Sequence, residues 1–127
     1  MAERCILVVD DADDWRSILT ITLSTIDDVR VLNAPSGERA LEMIRDDVVE
    51  LIVTDLRMDG ISGLDLLTAA RELGRWPCHG AMVISGEDDP ELERRALDCG
   101  ASAFFPKPFS AGAIRRHVIS LLNSRCA

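Results

Sequence analysis

Apolar residues gather in five short runs, near residues 5–9, 29–33, 51–54, 81–84 and 102–105, and each run is followed by a longer segment with helical spacing. Val, Ile and Leu dominate the runs, and the strict alternation predicts βα units around a parallel sheet. Four helical stripes stand out: Trp15, Leu19, Leu23 and Ile26; Ala40, Leu41, Ile44 and Val48; Leu64, Leu67, Ala70 and Leu73; Ile114, Val118, Leu121 and Leu122. Each puts its members on one face of a helix. From Pro90 to Cys99 the stripe thins to Leu92, Ala96 and Cys99 among Glu91, Glu93, Arg94 and Arg95, which predicts the least firmly packed helix.

Helix starts are marked by chemistry. Ser36, Ser62 and Ser110 can each cap exposed backbone N–H groups, and Asp89 before Pro90 offers a cap followed by proline in the first turn. Asp65, three residues after Ser62, completes a capping-box pattern. Five strands alternating with five helices predict an α/β fold with an open, doubly wound parallel sheet. Sheets of this kind bind ligands outside the carboxyl ends of their strands.

At 127 residues and 47% hydrophobic content, the chain suits one compact domain over 1–127, with no separate output domain. A net charge of -8 argues against direct nucleic-acid binding, since phosphate backbones reward a positive surface. Cys5, Cys78, Cys99 and Cys126 form no C-x-x-C pair and have no histidines at zinc spacing, so all four are expected to be reduced. No apolar stretch reaches the length of a membrane span, and the acidic start Met1-Ala2-Glu3 lacks a basic signal region. The chain reads as cytoplasmic, with no membrane partner.

Charge chemistry sharpens the picture. The chain has thirteen arginines and a single lysine, Lys107, which stands between Pro106 and Pro108. A compact ammonium suits one phosphate oxygen, where a guanidinium would offer a planar fork. Asp10 and Asp11 close the first apolar run, Asp55 the third and Ser85 the fourth, while Lys107 follows the fifth. The carboxyl edge of the sheet therefore collects three acids, a hydroxyl and a cation. Acids this close raise one another's pKa unless a cation compensates, and a hard oxygen site suits Mg²⁺. Asp13 and Asp14 need only be a solvated acidic helix start.

These residues carry a family resemblance. The pair Asp10-Asp11, the segment Asp55-Leu56-Arg57-Met58 with Gly63 eight residues after the acid, Ser85-Gly86 and Lys107-Pro108 match the response-regulator receiver domain of two-component systems in order and spacing. The resemblance, to a stand-alone receiver like the chemotaxis regulators, implies a flavodoxin-like strand order 2-1-3-4-5. It implies that Asp55 accepts a phosphoryl group from a sensor histidine kinase or a histidine phosphotransfer protein. Asp10, Asp11, Asp55 and the backbone carbonyl of Arg57 would hold Mg²⁺, Lys107 and Ser85 would meet the phosphoryl group, and Phe104 would turn inward as the switch. It also implies a cis Lys107-Pro108 bond, a separate effector protein, and no catalysis beyond the domain's own phosphorylation and dephosphorylation.

The chain departs from the common pattern at four places. Asp59 stands where proline is usual, which suggests a more mobile and more negative loop; Ser85 replaces threonine; Gly86 replaces alanine, which suggests a more open approach; and Phe104 replaces a hydrogen-bonding aromatic. Arg57 and Glu87, each two residues beyond a site residue, are candidates to meet over its mouth and modulate the lifetime of the phosphoryl group. Arg94, Arg95, Arg115 and Arg116 offer pairs that could contact an acidic partner or a second copy of the chain. His79 and His117 are isolated, and Trp15 is expected in the core. The runner-up reading is a phosphorylation-independent interaction module of the same fold. An aspartate-nucleophile phosphatase fits less well, because Arg57 occupies the place of its usual second aspartate.

Overall fold

The computed structural model describes residues 3–87 and 89–124, so Met1, Ala2 and Cys126 lie outside the described residues. Strand β1 (Arg4–Val9) leads into α1 (Asp13–Ser24), followed by β2 (Val29–Ala34), α2 (Gly37–Asp46), β3 (Leu51–Asp55) and α3 (Gly63–Glu72). Then come β4 (Ala81–Ser85), α4 (Pro90–Asp98), β5 (Ala103–Pro106) and α5 (Ala111–Leu122). All strand pairs are parallel, in the order β2-β1-β3-β4-β5.

Strand alternation divides the core in two, because successive side chains leave a strand on opposite faces. From β1, Cys5, Leu7 and Val9 join Ile52 and Val83 beneath α2, α3 and α4. Ile6 and Val8 join Val53, Met82 and Ile84 on the other face, against Leu19 and Leu23 of α1 and Ile114, Val118 and Leu122 of α5. The central strands are covered on both sides, which is why they read as unbroken apolar runs. The thin stripe of α4 buries only Leu92 and Ala96.

The caps are formed as the sequence predicts. Ser36, Ser62 and Ser110 accept from the backbone N–H groups of Arg39, Asp65 and Ala113, and Asp89 accepts from that of Glu91. Ser62 and Asp65 make the reciprocal box. Helix α1 differs, since its N-cap Ala12 has no side chain to offer. Asp10 reaches forward instead, and its Oδ1 accepts from the Ala12 N–H at 2.9 Å.

Some expectations fail at helix ends. Val48 is 71% exposed, because the chain leaves α2 at Asp47, whose extended backbone ends the helical spacing. Leu73 is the C-cap residue of α3 and is exposed. Trp15 belongs to neither core cluster and is half-buried. Cys5 and Cys99 carry free thiols, but Cys78 is disulfide-bonded, which corrects the expectation of four reduced cysteines.

Two glycines near the carboxyl edge make opposite demands. A Cβ on Gly63 would run into the main-chain carbonyl of Asp55, whereas one on Gly86 would meet open space. The Gly63 N–H also donates to the Leu56 carbonyl at 2.9 Å, closing the β3–α3 loop tightly beneath Asp55. We predict that Gly63→Ala lowers stability by about 1–3 kcal/mol in a urea titration, while Gly86→Ala stays within about 0.5 kcal/mol. Equal effects of the two changes would show that the close approach to Asp55 is not a constraint.

Candidate functional site

Strand register delivers the acids to one place. Val9 of β1 lies beside Thr54 of β3, so the residues that follow, Asp10 and Asp55, emerge next to each other. Ser85 pairs with Pro106, which brings Lys107 just past the end of β4. The Lys107 N–H donates to the Ser85 carbonyl at 2.7 Å, extending that ladder by one bond. The Lys107-Pro108 bond is cis, as the resemblance implied.

The Lys107 ammonium lies 3.0 Å from Asp10 Oδ2 and 3.5 Å from Asp55 Oδ1. Its side chain is 11% exposed and that of Asp10 only 1%, so this pair works in a poorly solvated setting. Carboxylate oxygens of Asp10, Asp11 and Asp55 all lie within 4.8 Å of one another. Three acids thus stand around one ammonium that pairs with two of them, an excess of two negative charges. Hard oxygen donors with that excess fit a divalent cation such as Mg²⁺. Asp11, the exposed member of the three, faces the open side of the site.

Asp55 shows the strain of this crowding. Burial, and after it the neighbouring charge of Asp10, push its carboxyl up from 3.8 to about 6, against the opposing pull of Lys107 and the Leu56 N–H. That N–H donates to Asp55 Oδ1 at 2.9 Å and fixes the orientation of the carboxylate.

Ser85 is 1% exposed, and its Oγ accepts from the Glu87 N–H at 3.0 Å, which leaves the hydroxyl proton to donate elsewhere. Phe104 is half-buried on β5, beside a shallow cleft lined by Glu87, Asp89, Pro90, Glu93 and Pro106. Arg57 and Glu87 do meet: Nε lies 2.6 Å from Oε1 and Nη2 donates to Oε2 at 3.3 Å, a forked pair joining the loops after β3 and β4.

Some sequence candidates stand elsewhere. Asp13 and Asp14 are exposed in the first turn of α1, and Asp13 pairs with Arg16 at 2.6 Å, in keeping with a solvated helix start. His117 is half-buried and meets Phe105 edge-on at 5.6 Å, and His79 is buried; neither joins the acid cluster. The arginine pairs are already engaged in part, since Arg94 bonds Glu91 and Arg115 Nε donates to Thr25 Oγ1 at 2.8 Å. One contact was not legible in the sequence. The Asp59 N–H donates to Asp11 Oδ2 at 3.2 Å, a bond that the usual proline could not make, so the loop expected to be mobile is tied to an acid of the cluster.

The sequence profile of the response regulator receiver domain matches residues 6–119. The chain belongs to that family. Among its relatives, the sensor histidine kinase TmoS of Ectopseudomonas mendocina is 34% identical over 96% of this chain, but the chain spans only 12% of that protein's length. The chemotaxis protein CheY of Pseudomonas aeruginosa is 28% identical over 89% of this chain and 91% of its own. The signal receiver domain of the response regulator NarL from Mycobacterium tuberculosis superposes with a TM-score of 0.87 at 28% identity, covering 98% of this chain and 100% of that one. The strand order and five helices are those of the receiver fold, and the cluster of Asp10, Asp11 and Asp55 is consistent with phosphorylation and metal binding. Among the described residues, no helix is long and apolar enough to cross a membrane.

The raised carboxyl of Asp55 has a consequence for stability. The folded protein holds this proton more tightly than the unfolded chain, so the stability Asp55 contributes is full below pH 3.8 and is lost as pH rises through about 6. The whole shift corresponds to about 3 kcal/mol, and screening at the solvent-facing mouth reduces the expected effect to about 1–2 kcal/mol. Asp55→Asn should therefore stabilise the protein by about 1–2 kcal/mol at pH 7.5, with the gain vanishing near pH 4. Urea titrations at the two pH values check this, and a gain that does not depend on pH would contradict the assigned cause.

Proposed function

We propose that the chain is a phosphoacceptor switch of a two-component or phosphorelay system, with Asp55 as the acceptor. The supporting observation is the placement of Asp55 at the end of β3, with Asp10 and Asp11 beside it and the Lys107 ammonium 3.5 Å away. An Asp55 oxygen attacks the phosphorus of a phosphohistidine on a sensor histidine kinase or phosphotransfer protein. The O–P bond forms as the P–N bond breaks, and the departing imidazole takes up a proton. Asp10, Asp11, Asp55 and the main-chain carbonyl of Arg57 would hold Mg²⁺, which supplies neutralising charge for the phosphoryl oxygens. Lys107 supplies a second positive charge from just past the carboxyl end of β5, and Ser85 donates its hydroxyl to the transferred group.

Phosphorylation replaces a single carboxylate charge by a bulkier and more negative group. As Ser85 shifts toward that group, Phe104 follows inward, which changes the surface beside β5. Phe104 lacks a hydroxyl, so this response is steric. The domain then regulates a separate effector protein in the cytoplasm and turns over no independent substrate. A phosphorylation-independent module would leave the convergence of three acids and one lysine without a role.

Incubation with Mg²⁺ and a small-molecule phosphodonor should add one phosphoryl group by intact mass, and Asp55→Asn should add none. Labelling of that variant at the native level would remove Asp55 from the role. The forked pair of Arg57 and Glu87 supports a further kinetic prediction. The exposed pair contributes only about 0–1 kcal/mol to stability, but its place between the two loops lets it obstruct the water that must align against the acyl phosphate. Arg57→Ala and Glu87→Ala should each speed dephosphorylation, and the double variant should add little beyond either. Independent effects, or slower decay in both single variants, would show that no such gate exists.

A further inference from the structure

The sequence places Trp15 in the core, yet the structure does not. Its ring stacks on Phe109 with centroids 5.0 Å apart at a tilt of 49°. The Lys107 ammonium lies over the same indole, 5.1 Å from its centroid. Lys107 and Phe109 are two residues apart in the β5–α5 loop, so this short segment touches one aromatic ring through both its charged and its apolar member. From these contacts we infer that Trp15 is a positioning residue for Lys107, its indole face forming the third wall of the ammonium's seat.

The physical need is clear from the other two walls. Asp10 Oδ2 at 3.0 Å and Asp55 Oδ1 at 3.5 Å attract the ammonium from one side. On the remaining side an open site would let water compete for the third N–H and let the flexible stem swing outward. The indole closes that side with an electron-rich face, which attracts a cation at up to about 6 Å from the ring centroid. This attraction is broad across the ring and makes no demand on hydrogen-bond direction. The ammonium can therefore turn from a carboxylate toward a new anionic oxygen without losing its support. A neutral side chain would not be held by this wall, and a guanidinium would stack flat on it rather than turn as a compact ammonium can. The chain's only lysine is the residue placed against it.

Phe109 packs against the ring in turn, and Trp15 acts on the site through Lys107. A space-filling role alone would be served by any apolar side chain of similar bulk. The two possibilities separate by comparing Trp15→Phe, which keeps an aromatic face, with Trp15→Leu, which does not.

The single lysine makes the contact directly visible. With selective ¹³C labelling of lysine, Lys107 gives one set of side-chain resonances. Ring current should move its Hε protons upfield of free lysine in the native protein, largely so in Trp15→Phe, and not in Trp15→Leu. The second readout rests on the phosphoacceptor reading. At saturating Mg²⁺ the initial phosphorylation rate with a small phosphodonor should fall about 2- to 5-fold in Trp15→Leu and less than about 2-fold in Trp15→Phe. Mg²⁺ affinity should be unchanged in both, and a urea titration confirms that each is folded. An unshifted Lys107 resonance in the native protein, a shift that survives Trp15→Leu, or equal rate losses in the two variants would overturn the inference. If the native protein accepts no phosphoryl group at all, the reading of Asp55 falls, and the resonance alone decides the contact.

Discussion

One ammonium shared between two buried carboxylates is the interaction on which the carboxyl edge of this protein depends. Asp10 and Asp55 come from adjacent strands in a parallel register, and that register forces them together whether or not their charges agree. Lys107, at 3.0 and 3.5 Å, is what makes the arrangement tolerable. Removing the lysine from a buried group of this kind typically costs about 3–5 kcal/mol, because the carboxylates left behind are neither solvated nor matched. The rest of the local structure serves this interaction. The Lys107 N–H continues the ladder from β4, Gly63 gives the Asp55 backbone room, and the Leu56 N–H orients its carboxylate.

The compensation is incomplete, and the remaining imbalance gives the site its chemistry. A third acid, Asp11, adds charge that the lysine does not match, and the Asp55 carboxyl rises to about 6 even with the ammonium beside it. A core designed only for stability would use an amide at this position. Holding a carboxylate in a half-desolvated, acid-rich pocket is a stability cost that proteins accept at functional sites. It also prepares the site for positive charge, and for an anionic group that positive charge would hold.

Most of the fold was legible because strong patterns agreed with one another. Central strands covered on both faces gave continuous apolar runs, and the serine caps and the Ser62–Asp65 box marked helix starts through chemistry that is local in sequence. The acids, Ser85 and Lys107 followed from the rule that ligands gather at the carboxyl ends of such strands. Periodicity failed where helices stop, as at Val48, since spacing alone does not show where the backbone turns extended. It also misread Trp15, whose place on an apolar stripe gave no hint that a cation and Phe109, ninety-four residues further on, would take up its ring. Contacts through the backbone were equally hidden. The Asp59 N–H to Asp11 depends on how a loop folds over a site, and the bond from Arg115 to Thr25 depends on where α5 lies against the end of α1.

The surplus negative charge at Asp10, Asp11 and Asp55 fits a divalent cation. Calorimetric titration of the unphosphorylated protein with Mg²⁺ at pH 7.5 and constant ionic strength tests it most directly. One saturable site is expected in the native protein, with binding lost or weakened at least about 10-fold in Asp11→Ala, because a carboxylate is removed from a hard-ion site. Native-like binding in Asp11→Ala, or no saturable binding in the native protein, would contradict it.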